Sequence, residues 1–308
     1  MSFTLSGLTK ILSLAQTTYY HGKNTFLQKM NRLQLMNKIL SSQVISTAPN
    51  SNVETCIVTS HTDYPNALLA IKSLFYFLDF SLSVMVIDDG SLEKNDIKQI
   101  QHHVKGVKII DDLLVKKTAK HIFNSNSEIY RNINIPYIRK KIAPYLFSTK
   151  DKIMYLDSDV LFFKKPTEII KWIRGEYDCF YIQDFQDAYF LSNIEAMHLF
   201  KKKLWPKVNS GLLGIRRSAL NMKLLEKLIP LQVSLSCYRP LQYQVYFALL
   251  FSMQSKNNSI RSLPKSYLVS ANAKDYQPDK LIAGHYIRLV REKIFTDAIY
   301  VVNKIQSS

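Results

Sequence analysis

From residue 54 to residue 163, short β-branched apolar runs alternate with stretches in which apolar residues recur at helical spacing, which restricts the chain to an α/β architecture. Cys56-Ile57-Val58-Thr59 reads as a buried strand. Leu68, Ile71, Phe75 and Leu78 follow at helical spacing behind Pro65, a residue suited to a first helical turn. Val84-Met85-Val86-Ile87 forms a second strand ending at Asp88-Asp89-Gly90-Ser91, then come a polar helix over 93–103 and a strand over 107–110. A helix over 136–147 leads into Lys152-Ile153-Met154-Tyr155-Leu156, a strand that delivers Asp157-Ser158-Asp159 at its end. Further strands are expected over 179–182 and 211–215, and helices over 220–228 and 241–252. The expected fold is a mixed, mostly parallel sheet flanked by helices, whose ligands bind beyond the carboxyl ends of the strands.

Residues 1–52 read as a basic helical extension. Leu27, Met30, Leu33, Leu35, Met36, Ile39 and Leu40 interleave with Lys29, Arg32 and Lys38, and the run stops at the breaker-rich Ala48-Pro49-Asn50-Ser51-Asn52. Such a helix packs on the main domain or lies on an anionic membrane surface. Residues 53–300 form the main domain, with a nucleotide-binding half over 53–160 and an acceptor half over 161–300.

The 41 Lys+Arg against 24 Asp+Glu leave a net charge of +17, which favours anionic partners: nucleotides, acidic glycans, anionic lipid or nucleic acid. The three cysteines, Cys56, Cys179 and Cys237, are far apart and show no Cys-x-x-Cys spacing, so neither a disulfide framework nor a zinc site is expected. The N-terminus lacks a signal-peptide pattern, and the most apolar stretches, 68–80 and 247–253, are too short or too interrupted to span a bilayer. The expected setting is the cytoplasm, with peripheral attachment at the inner face of the membrane.

Asp157 and Asp159 end an apolar strand, and Val160 to Phe163 is apolar again. In an extended segment, residues two apart project to one face, so these two carboxylates can converge. Like charges at such a place raise each other's pKa unless a cation compensates them, and hard oxygen ligands suit Mn²⁺ or Mg²⁺. An ordinary turn capped by aspartates is the plainer alternative, and the flanking apolar runs favour the metal.

Arg139, Pro144-Tyr145-Leu146 and the string Lys152 to Val160 together resemble the core signature of the GT-A glycosyltransferases of the glycogenin and galactosyltransferase group. The resemblance implies the GT-A fold and transfer from a nucleoside diphosphate sugar, a UDP-sugar, to a glycan, lipid or protein acceptor. It implies a donor contact for Arg139 and metal contacts for Asp157 and Asp159, with Ser158 among the donor-binding residues. Val208-Asn209-Ser210-Gly211 is similar to the family's Asn-Ser/Ala-Gly strand, which makes Asn209 a donor-sugar candidate. Tyr243-Gln244 stands where the family often has Asp-Gln, so Gln244 is retained and the acidic member is missing. Ile282-Ala283-Gly284-His285-Tyr286 looks like the family's late His segment and implies His285 as third metal ligand, with Arg288, Arg291 and Lys293 near the diphosphate. The family's Lys-Pro-Trp ending is absent.

Thr59-Ser60-His61 and Asp88-Asp89-Gly90-Ser91 end the first two strands and fit a nucleotide pocket, where an aspartate accepts hydrogen bonds from base or ribose. The second tetrapeptide also resembles the Asp-Asp-Gly-Ser of the inverting GT-A enzymes related to chitin and cellulose synthases. An inverting enzyme needs a carboxylate base, and Asp184 and Asp187 in Gln183-Asp184-Phe185-Gln186-Asp187 follow an expected strand. A retaining enzyme needs none.

Two other readings remain. The segment Met154 to Val160 also fits a haloacid-dehalogenase-like phosphatase with Asp157 as nucleophile, although no later Gly-Asp-x-x-x-Asp follows. The charge permits a nucleic-acid binder, but no binding motif or aromatic-basic interleaving accompanies it.

Overall fold

The computed structural model describes residues 23–234, 244–254, 259–269, 277–287 and 293–306. The chain enters through α1 (Lys23–Leu40) and β1 (Ile45–Ser46), then alternates as expected: β2 (Val53–Thr59), α2 (Tyr64–Leu78), β3 (Ser83–Asp88), α3 (Lys94–His103), β4 (Val104–Lys105) and β5 (Lys108–Ile110). Two helices not expected from sequence, α4 (Asp112–Ile122) and α5 (Glu128–Arg131), precede α6 (Pro136–Phe147), β6 (Lys152–Leu156) and β7 (Val160–Phe162). Then follow α7 (Thr167–Arg174), β8 (Cys179–Gln183), α8 (Asn193–Phe200), β9 (Val208–Arg216), α9 (Met222–Ser234) and α10 (Val245–Gln254). The described chain ends with β10 (Ile260–Ser262), β11 (Tyr267–Val269), β12 (Ala283–His285) and α11 (Lys293–Gln306). None of the described helices is long and apolar enough to cross a membrane.

Seven strands form the main sheet in the order β10-β8-β9-β6-β2-β3-β5, with β9 antiparallel to both neighbours and every other pairing parallel. Helices cover both faces, so its inner strands are buried on both sides and read as near-continuous apolar runs. Their alternation still sorts the side chains: Met154 and Leu156 of β6 join one core cluster, Ile153 and Tyr155 the other. Because Thr59 pairs with Asp88, β2 and β3 end level, and the loops that follow them share a rim with the end of β6.

A second sheet, β11-β12-β7, carries the late chain back to that rim. β12 runs antiparallel to β7 with His285 opposite Val160, so the imidazole is delivered beside the segment that follows Asp159. These strands have three residues each, too few for a periodic signal, and tertiary pairing creates them.

The helix α1 packs on the main domain: Leu35 and Ile39 join the same core cluster as α2 and α11. Lys72 of α2 closes the end of α1, its ammonium donating to the Ser42 carbonyl (3.3 Å), the Ser42 hydroxyl (2.7 Å) and the Gln43 carbonyl (2.6 Å). Burial pushes this ammonium's pKa down to about 8.

Candidate functional site

The end of β6 is held by a hydrogen bond from Asp157 N to the Gly211 carbonyl (2.8 Å), and Val160 N donates back to the Asp157 carbonyl (3.2 Å). The Asp157-Ser158-Asp159 segment is therefore a tight turn, not the extended strand end expected from sequence, because this bond closes the chain on itself. Convergence of the carboxylates comes from the turn and from β12. His285 Nε2 lies 3.1 Å from Asp159 Oδ1 and 3.7 Å from Asp157 Oδ2. One ligand atom from each of the three residues falls within 4.8 Å of the others. Tyr286 N donates to the Asp159 carbonyl (2.9 Å) and its hydroxyl to Asp297 Oδ2 of α11 (2.6 Å), so the C-terminal helix braces this arm.

Two hard carboxylate oxygens and an imidazole are a donor set that fits a divalent cation. The surroundings fit as well: no Cβ is tolerated at Gly211, against the imidazole. Burial works to lower the His285 pKa, but the Asp159 and Asp157 carboxylates outweigh it and leave the pKa above its ordinary value.

Lys140 completes the charge balance, with its Nζ 2.5 Å from Asp157 Oδ1 and 2.7 Å from the Ser210 carbonyl. The residue expected from sequence to contact the donor is its neighbour, Arg139. Arg139 is 1% exposed and engaged with protein: Nε donates to the Ile133 carbonyl (2.8 Å), one terminal nitrogen to the Asp88 carbonyl (3.1 Å), and the other meets Asp112 Oδ1 at 2.5 Å. The guanidinium braces the turn after β3, where Gly90 at φ +105° leaves it room. On a helix, successive residues differ by about 100° in direction, so within Arg139-Lys140-Lys141 only the packing of α6 decides which cation meets Asp157.

A second cluster adjoins the first through β9. Asp184, buried just past β8, accepts hydrogen bonds from Phe185 N (2.8 Å), Asn209 Nδ2 (2.9 Å) and Gln244 Nε2 (3.2 Å). Gln244 Oε1 accepts from Ser210 N (3.0 Å), and Asn209 Oδ1 from Gly211 N (2.9 Å). Asp184, Asn209 and Gln244 thus form one network, tied by Ser210 and Gly211 to Asp157. Asp187 is exposed and accepts from Lys207 N (2.7 Å), which latches the loop to β9.

At the ends of β2 and β3, Asp88 Oδ1 accepts from Gly90 N (2.7 Å) and Leu92 N (3.1 Å), and Asp89 Oδ1 from Ser91 N (3.0 Å) and Oγ (2.6 Å). Ser91 Oγ in turn accepts from His61 N (3.0 Å), so the two loops are joined. The His61 ring meets Asp96 Oδ2 at 2.7 Å, and that hydrogen bond raises its pKa. Thr59 Oγ1 is buried without a hydrogen-bond partner among the described residues. Ser60 bonds Thr62 (3.1 Å), and Ser158 is buried within its turn. Arg288 and Arg291 lie outside the described residues, and Lys293 opens α11, exposed.

Sequence reasoning missed Lys140, Ser210 and Gly211. A glycine inside a strand pattern signals close approach of another group, and Gly211 carried that signal.

No protein-family model matches the chain, and no curated protein matches its sequence. Solved structures do match. A galactosyltransferase, LgtC, in complex with donor and acceptor sugar analogs superimposes with a TM-score of 0.55 at 14% identity, over 82% of this chain and 95% of that one. The apo structure of WbbM, a bifunctional glycosyltransferase, gives a TM-score of 0.55 at 15% identity, over 85% of this chain and 53% of that one. At these identities the likeness is one of fold: the chain has the GT-A fold, a mostly parallel mixed sheet flanked by helices. Neither the phosphatase nor the nucleic-acid reading gains support from these neighbours.

Proposed function

We propose that the chain is a metal-dependent glycosyltransferase that moves a hexosyl group from a nucleoside diphosphate sugar, a UDP-sugar, to a hydroxyl of a glycan, lipid or protein acceptor. The observation that carries this reading is the Asp157, Asp159 and His285 group, gathered from two distant segments onto the ligand rim of a GT-A sheet. The joined loops after β2 and β3, with Thr59, Ser60, His61, Asp88 and Asp89, form the nucleoside side, held in shape by Arg139. Asp157, Asp159 and His285 would hold Mn²⁺ or Mg²⁺, which would supply Lewis-acid stabilisation of a diphosphate leaving group. Lys140 adds a fixed positive charge at the same place.

Asn209 and Gln244 face the transferred sugar in this reading, with Asp184 orienting both amides. The oxygens of Asp184 already accept three N–H donors, which favours an orienting role over proton abstraction and agrees with a retaining course. The net charge of +17 and the buried free thiols of Cys56 and Cys179 support a cytoplasmic setting at the inner face of a membrane.

The test is hydrolysis of a panel of nucleotide sugars with and without chelator, paired with thermal shift. Mn²⁺ with a UDP-sugar at about 100-fold its Kd stabilises the protein by about 2.7 kcal/mol, and Asp159→Ala abolishes that gain. Turnover of a phosphate monoester in place of every sugar nucleotide would falsify the proposal.

A further inference from the structure

We propose that α8 and the lysines that follow it form a docking foot for an anionic lipid bilayer. The helix is closed at both ends: Ser192 and Glu195 form a reciprocal capping box, and Lys201 ends it in the left-handed conformation at φ 56°. It touches the body through Ala196, which is fully buried, and through the half-buried Phe200. The outward side carries Ile194, 82% exposed, and Met197, 41%, beside the exposed His198, and Leu199, 47% exposed, lies on the flank. Ile194 and Met197, three residues apart, lie side by side on the outward face.

Exposed apolar side chains grouped this way mark an interaction surface, and the charge beside them selects its partner. Lys201, Lys202 and Lys203 leave the helix end exposed, Lys207 follows, and none of these ammonium groups reaches a carboxylate among the described residues. The helix carries a single acid, Glu195, whose carboxylate accepts from Ser192 N (2.7 Å) and Oγ (2.8 Å) and so remains folded into the cap. Apolar side chains that enter the acyl boundary, with cations left at the depth of the headgroups, match an anionic bilayer. A nucleic acid would use the lysines and leave Ile194, Met197 and Leu199 in water. The inference stands on the surface alone and does not depend on the glycosyl-transfer reading.

The full chain is tested by co-sedimentation with vesicles of phosphatidylcholine with and without phosphatidylglycerol, at low and high salt. Binding is expected only to the anionic vesicles and to weaken with salt. Ile194→Asp with Met197→Asp, and separately Lys201→Glu, Lys202→Glu and Lys203→Glu together, should each lower the partition coefficient by at least about tenfold. As a second readout, an environment-sensitive dye on Ile194→Cys should shift to the blue when anionic vesicles are added. No binding by the unaltered chain overturns the proposal, as does unchanged dye emission. So does undiminished binding by both variants, which would assign the contact to another surface where exposed apolar and basic side chains meet, such as Leu113, Leu114, Lys117 and Lys120 of α4.

Discussion

A Cβ placed on Gly211 would stand 2.2 Å from Cε1 of His285, so the strand bearing Asn209 and the late arm bearing the imidazole touch without room for one methyl group. These two residues lie in different sheets, and their contact sets where Nε2 points relative to Asp157 and Asp159. Gly211→Ala must therefore displace the ring. Mn²⁺ affinity should drop by about 10- to 100-fold, the usual cost of losing what orients a metal ligand. Titration calorimetry with Mn²⁺ checks this, and an unchanged affinity would show that His285 is no ligand.

Lys140→Met keeps the length of the side chain and removes its charge. The Lys140 ammonium bridges Asp157 Oδ1 and the Ser210 carbonyl, and so links the metal ligands to the sugar-side strand. Removing it should leave Mn²⁺ binding in place while UDP-sugar turnover falls by about 10²-fold, the scale of one preorganised charge at a leaving group. Equal turnover in the two proteins would reduce Lys140 to a surface cation.

How far these features were legible in the sequence depends on how local their causes are. The strands β2, β3 and β6 and the helix α6 announce themselves through periodicity and breakers, and α6 occupies the expected residues 136–147. The Asp157 and Asp159 pair stood out in the sequence because two carboxylates between apolar runs are expensive without a cation. The turn that holds them was not, since it depends on Val160 N finding the Asp157 carbonyl. Nor was the choice of Lys140 over Arg139: both lie in one basic run, and only the contact of α6 with β2 and β3 separates a buried brace from a site cation. The amphipathic α7 and α11 carry clear helical spacing in Ile169, Ile170 and Trp172 and in Ile294, Ala298, Val301, Val302 and Ile305, and could have been read.

Asp184→Asn replaces a carboxylate whose Oδ2 accepts from both Asn209 and Gln244 and whose Oδ1 accepts from Phe185 N with an amide whose NH2 must face donors on one side or the other. A buried donor then faces a donor, so stability should fall by about 1–3 kcal/mol. Turnover should fall while Mn²⁺ binding persists, because the network is joined to Asp157 through the backbone of Ser210 and Gly211 rather than bonded to its carboxylate. Urea unfolding and Mn²⁺ titration on the same preparation separate the two effects. A variant as stable and active as the parent would remove Asp184 from both roles.

His103 supplies a pH dependence far from the site. The ring is 2% exposed at the end of α3, 3.3 Å from the Lys72 ammonium. Burial first, then the charges of Lys72, His102 and Lys105, push its pKa down to about 4. An unfolded chain protonates this imidazole near pH 6.5, so between about 6.5 and about 4 the unfolded state binds more protons, and stability falls as the pH is lowered through that window. Above pH 6.5 the group costs nothing. Between pH 7 and pH 5 the loss from this residue should be about 2 kcal/mol, at 1.36 kcal/mol per pKa unit. His103→Gln keeps an acceptor for Lys72 but does not titrate, so its urea midpoint should decline less over the same range. His285 is shifted in the opposite direction but is common to both proteins, and the difference between them isolates His103. Parallel declines in the two proteins would mean that His103 takes up its proton as readily in the folded state as in the unfolded one.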